Sequence, residues 1–133
     1  MAVVLDASIA GAWVLPDEIN DLANRVRLRY VDDVIYLPSH WWVEVLSLLL
    51  KAERRERLDA ATADEAIALL SVLSIEIDPL PHHARIILFA RRHELTVYDA
   101  AYLELAQRLS LPLATLDRKL AAAAKAQGVE LIS

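Results

Sequence analysis

At 133 residues, 56% of them hydrophobic and none of them cysteine, the chain has the size of one domain, residues 1–133, without disulfides, thiolate metal sites or thiol nucleophiles. Fourteen basic residues against 19 acidic ones leave a formal charge of −5, the wrong sign for holding nucleic acid by bulk electrostatics, so any such contact must be local. Two glycines, Gly11 and Gly128, are too few for a phosphate-cradling loop, and charged residues break every apolar run well short of a membrane span.

Short aliphatic or β-branched runs alternate with longer helical patterns, which is the signature of an α/β fold around a parallel sheet. The first predicted strand, Ala2–Leu5, runs into Asp6, and helical patterns follow over Ile9–Leu15 and Glu18–Tyr30. Because Met1-Ala2-Val3-Val4-Leu5-Asp6 has no basic stretch and meets a carboxylate at once, it does not read as a secretory signal, and a cytoplasmic protein without a membrane partner is expected. Strand Val34–Leu37 precedes a helix over His40–Arg57, and Thr62-Ala63-Asp64-Glu65 reads as a capping box for a helix over Ala63–Leu73. Strand Ile75–Ile77, helices His82–His93 and Val97–Leu109, strand Leu113–Thr115, helix Arg118–Gln127 and strand Glu130–Ile132 complete the order. Pro16, Pro38, Pro79, Pro81 and Pro112 all fall between these elements, and Gly128 stands where a helix end favours positive φ.

Carboxylates are the residues with chemistry to offer. His40, His82, His83 and His93 show no metal-ligand spacing, and no nucleophile elbow occurs, so all four histidines read as surface or helix-end residues. Asp6 follows the first strand, where open α/β sheets place ligands, although it equally suits a helix cap, and Ser8 can share either task. Trp41, Glu44, Val45 and Leu48 occupy one helix face, which sets a charge in an apolar stripe and demands a cation, either a metal or a basic side chain. Asp99 fits a capping box begun by Thr96, and Asp117 closes Leu113-Ala114-Thr115-Leu116-Asp117 with the geometry proposed for Asp6. Each has a plain structural reading, but four acids at strand ends and helix starts suggest a shared task, the holding of a hard cation. Oxygen-only ligands select Mg²⁺ or Mn²⁺ over zinc, and two such ions would bring the formal charge from −5 to −1.

Val4-Leu5-Asp6-Ala7-Ser8, Trp41-Trp42-Val43-Glu44-Val45, Tyr98-Asp99-Ala100-Ala101-Tyr102-Leu103 and Leu113-Ala114-Thr115-Leu116-Asp117, in that order, resemble a PIN domain. The match is to the VapC group, toxin ribonucleases of bacterial and archaeal toxin–antitoxin pairs, and it covers essentially the whole chain. The resemblance implies a five-stranded parallel sheet flanked by helices. It also implies a site in which Asp6, Glu44, Asp99 and Asp117 ligate one or two Mg²⁺ or Mn²⁺ ions, with Thr115 and Ser8 in support. Ser47 stands where the family commonly has asparagine, so local support for Glu44 is expected to differ.

By the same resemblance, RNA is cut by metal-activated water, which leaves a 5′-phosphate and a 3′-hydroxyl and inhibits translation. The implied partners are the RNA substrate and a VapB-type antitoxin whose tail covers the site. The greasy helix Trp41–Leu50 leaves room for a homodimer or antitoxin interface. Two other readings stay open: a catalytically silent RNA-binding or scaffold module, and a haloacid-dehalogenase-like phosphatase. The phosphatase would need an acid at Ser8.

Overall fold

The computed structural model describes residues 1–133. Eleven elements follow in chain order: β1 Ala2–Leu5, α1 Ala7–Val14, α2 Asp21–Tyr30, β2 Val34–Leu37, α3 Trp41–Arg54, α4 Ala60–Ser71, β3 Ile75–Ile77, α5 His83–His93, α6 Val97–Leu109, β4 Leu113–Ala114 and α7 Arg118–Ala126. All strands pair in parallel in the order β3-β2-β1-β4, with Val3 opposite Ile35, Ile35 opposite Ile75 and Val4 opposite Leu113. β1 is therefore central. Its Val3, Val4 and Leu5 are wholly buried, as a strand covered on both faces requires. Helices α1, α2 and α3 pack together, while α6 joins α5, α7, β1 and β4.

The sheet has four strands where five are expected. The stretch Glu130–Ile132 contributes one parallel bridge, Leu131 to Leu113, closed by Leu113 N–H donating to the Glu130 carbonyl and Ile132 N–H donating to the Leu113 carbonyl. β4 has only two residues, so the segment beside it finds too little edge to extend the ladder. The start of α4 also differs. Asp59, one turn upstream, accepts from Thr62 N–H and caps the helix, because Ala60 and Ala61 extend it backward at little cost. Thr62 thus lies inside α4. Gly128 follows α7 with φ of 72°, as the helix end requires. At Gly11, a Cβ would come within 2.9 Å of Leu48, so the missing side chain lets α1 press against α3.

This order creates a reversal. The chain steps outward from β1 to β2 to β3 and then returns to lay β4 on the other side of β1, so the crevice at the carboxyl ends of β1 and β4 is a topological switch point. Asp6 stands directly after β1, and Thr115 to Asp117 directly after β4.

Candidate functional site

Every carboxylate singled out from the sequence sits in the opening turn of a helix. Asp6 is the N-cap of α1, its Oδ1 accepting from Ser8 N–H (3.1 Å) and Ile9 N–H (3.4 Å). Asp117 is the N-cap of α7 and accepts from Leu120 N–H (2.9 Å). Asp99 lies in the first turn of α6, whose cap, Thr96, accepts from Asp99 N–H (3.1 Å), and Glu44 lies in the first turn of α3. The capping readings are correct. They are also the means of gathering, because four helices begin around one depression and each brings its acid there. Asp6, Glu44, Asp99 and Asp117 all line a cleft of about 540 Å³, together with Ser8, Ser47, His40, Lys51 and Tyr98.

Ser8 and Thr115 stitch the two strand ends together. Ser8 Oγ donates to Asp6 Oδ1 and Thr115 Oγ1 to Asp6 Oδ2, each at 2.5 Å. In return Ser8 Oγ accepts from Leu116 N–H and Thr115 Oγ1 from Asp117 N–H, both at 3.0 Å. Asp6 is 4% exposed, and desolvation pushes its carboxyl up to about 6 despite these bonds, with the nearby Asp99 charge adding to the rise. Asp99 is raised as well, first by desolvation and then by the charges of Asp117 and Glu44. Neither they nor Asp117 pair with a lysine or arginine.

Glu44 is treated differently. Trp41, Val45 and Leu49 form the buried stripe of α3, and Glu44 lies at its edge, with 32% of its side chain exposed rather than sunk in it. Tyr102 Oη, fully buried, donates to Glu44 Oε1 at 2.7 Å, and His40 Nε2 lies 3.1 Å from the same oxygen. Desolvation alone would raise this carboxyl, but the contacts to His40 and Tyr102 outweigh it and hold Glu44 below the usual carboxylate range. Burial, and then the bond to Glu44, push the Tyr102 phenol above its ordinary value. The support expected from position 47 thus comes from two other residues.

His40 is the residue the sequence reading missed. It stands at the start of α3, its ring 5.3 Å from that of Tyr98 and 5.1 Å from that of Tyr102, and only the i,i+4 spacing of His40 and Glu44 hinted at the contact. The other three histidines behave as expected: His82 caps α5, His83 opens that helix on the surface, and His93 ends it. Lys51 is the only lysine or arginine lining the cleft.

The donor set suits a hard divalent cation, being anionic, entirely oxygen and mutually repelling. No three acidic or histidine side chains converge on a single ion position. The acids are gathered on one cleft without closing into a coordination shell.

Comparison with known proteins bears on this arrangement. The PIN domain family matches residues 3–126. The chain is 36% identical over 126 residues to Ribonuclease VapC3 of Mycobacterium tuberculosis, covering 91% of this chain and 86% of that protein. It is 35% identical over 132 residues to Ribonuclease VapC3 of Pyrobaculum aerophilum, covering 91% and 93% respectively. Among solved structures, PAE2754 from Pyrobaculum aerophilum superposes with a TM-score of 0.73 at 25% identity, over 99% of this chain and 84% of the other.

Proposed function

The chain belongs to the PIN-domain family and, within it, to the VapC group, and from that premise we propose that it is a metal-dependent endoribonuclease, the toxin of a type II toxin–antitoxin pair. The observation that carries the reading is the meeting of Asp6, Glu44, Asp99 and Asp117, from four separate helix starts, on one cleft at the switch point of the sheet. Residues 1–133 act as a single PIN domain.

Asp6, Asp99 and Asp117 supply ligand oxygens for one or two Mg²⁺ or Mn²⁺ ions, and Ser8 and Thr115 hold Asp6 toward that task. The ion supplies an acidified water and positive charge at the scissile phosphate when bound. Glu44, kept anionic by Tyr102 and His40 through Oε1, leaves Oε2 free of protein donors, so that oxygen is available to a ligand or to orient water. Lys51 offers a cation to the RNA backbone inside an otherwise acidic cleft. Cleavage leaves a 5′-phosphate and a 3′-hydroxyl and, in the cytoplasm, inhibits translation.

The partner is a VapB-type antitoxin whose basic tail covers the cleft, which the chain's formal charge of −5 suits. Val43, Leu46 and Leu50 of α3, 68%, 43% and 43% exposed, form an apolar surface beside the cleft for that antitoxin or for a homodimer.

The test is cleavage of RNA by the purified protein with Mg²⁺ or Mn²⁺, with and without EDTA, followed by analysis of the ends. Chelation should stop the reaction. EDTA-resistant cutting, or 2′,3′-cyclic phosphate ends, would move the chemistry to general acid–base catalysis by a histidine such as His40. RNA binding without cutting would favour the silent module.

A further inference from the structure

A second hollow, of about 590 Å³, meets the acidic cleft where β4 ends. It lies between the first half of α2, one face of α7 and the stretch Leu131–Ser133 beside β4, with Leu22, Leu131 and Ile132 on its walls. Thr115 lines it too, and Asp117, two residues on, lines the cleft. At about 3.6 Å per residue or less, the two linings come within roughly 7 Å of each other along the chain, so one extended ligand can lie in both.

The hollow and the cleft are opposite in charge. Arg25 of α2 and Lys125 of α7 are the only charged side chains lining the hollow, both are exposed, and neither pairs with a carboxylate, although Asp21 stands one turn before Arg25. Lys125 suits the C-terminal end of α7, but Arg25 stands in mid-helix and serves no dipole. Ala121 and Lys125 share the face of α7 that meets the hollow, and Arg118, three residues before Ala121, belongs to the same face, exposed and equally unpaired, next to Asp117. Three free cations therefore lead from the rim of the cleft into the hollow. In a chain of formal charge −5 they form a local basic track. The cleft sets one cation, Lys51, among four carboxylates, so the phosphates of a strand that extends beyond it must be met elsewhere.

We propose that this hollow is a phosphate-backbone subsite for the RNA strand where it leaves the cleft past Asp117, with Arg25 and Lys125 neutralising its phosphates and Arg118 meeting it at the step between the two spaces. The subsite positions the strand and reads no base, because its contacts are to charge alone. An acidic polypeptide has the same sign, but the junction with the cleft at Thr115 and Asp117 favours the strand that is being cut. The inference rests on the ribonuclease reading for its substrate, and the hollow can be tested without catalysis.

The readout is the salt dependence of binding, followed by fluorescence anisotropy of a short labelled single-stranded RNA in EDTA. Each neutralised phosphate contributes about 0.7 to the slope of log Kd against log salt. Arg25→Ala and Lys125→Ala should therefore each lower the slope by about 0.7 and together by about 1.4, with affinity at about 0.1 M salt down tenfold or more. Arg25→Lys should keep the wild-type slope, since counterion release asks only for a charge in that place. Arg91→Ala with Arg92→Ala, exposed cations in the last turn of α5 that line neither space, should keep it as well. All these positions are exposed on helices, where alanine is well tolerated, and melting curves confirm the fold. The expected loss of slope without any cleavage in Mn²⁺ would keep the subsite and overturn the nuclease reading. Cleavage in Mn²⁺ with an unchanged slope in the double variant would overturn the subsite and leave the nuclease reading standing. Displacement of the labelled RNA by poly-glutamate as readily as by unlabelled RNA would overturn it too, and assign the hollow to an acidic peptide.

Discussion

Asp78 and Glu104 on one side of Tyr98, and Asp6, Asp99 and Asp117 on the other, are the same residue types in neighbouring hollows at one edge of the sheet. The first pair has an internal cation. Arg108 bridges both carboxylates, and those bonds hold its guanidinium above the ordinary range. The cleft acids have no such partner: burial and then the charge of Asp99 push Asp6 upward, and burial and then the charges of Asp117 and Glu44 push Asp99 upward. An acid cluster that supplies its own countercharge is a structural tie. One that does not is incomplete until a cation comes from outside.

The largest separation of the two should appear in activity. Asp99→Asn keeps the shape of the cleft and the Thr96 cap but removes a ligand charge, so RNA cleavage should fall by about a thousandfold or more, roughly 4 kcal/mol of transition-state stabilisation. Wild-type cleavage by a folded Asp99→Asn protein would remove that residue from the site. Arg108→Met should act in the opposite sense, sparing the metal requirement but costing about 3 kcal/mol in denaturant unfolding, because it strands a buried Glu104. A loss below about 1 kcal/mol would show that the tie is ornamental.

Next comes the response to pH and metal. Asp6 rises from 3.8 to about 6 in the folded protein, so its protonated form favours folding. In EDTA, that contribution is fully present below pH 3.8 and is lost as pH rises through about 6, at most roughly 3 kcal/mol. Melting curves of the metal-free protein should therefore show Asp6→Asn above wild type at pH 7 and level with it at pH 4. Mn²⁺ at neutral pH should restore about 2.7 kcal/mol at 100 times its Kd, and Asp117→Asn should blunt that response. Equal metal responses in wild type and Asp117→Asn would return Asp117 to a capping role alone.

The smallest effect concerns Glu44, which belongs to neither extreme, since its Oε1 accepts from a phenol and lies against a histidine ring rather than an arginine. Tyr102→Phe removes one donor from Oε1 and should lower kcat about tenfold with little change in KM, near 1.4 kcal/mol. In a Glu44→Gln background the same change should do nothing further, and an additive loss would show that Tyr102 acts by packing only.

Sequence alone determined the elements and their type, because apolar periodicity, proline placement and cap residues are local. β1, β2, β3 and α6 stand where those signals put them, and Asp6 and Asp117 were legible as strand-end acids that cap the next helix. The capping box at Thr62 places the start of α4 one turn too late: the helix opens at Ala60 behind Asp59, because Ala60 and Ala61 are good helix formers that continue it backward. The last strand failed because its length depends on the edge it meets, and β4 offers two residues. Only the tertiary structure decided which charges find partners. Tyr102 reaches Glu44 across 58 residues, Thr115 reaches Asp6 across 109, and Arg108 reaches Asp78 across 30, while no arginine or lysine pairs with the cleft acids. A carboxylate's neighbours in space set its electrostatics, and those neighbours are fixed by the order of strands in the sheet, which no local signal in the chain encodes.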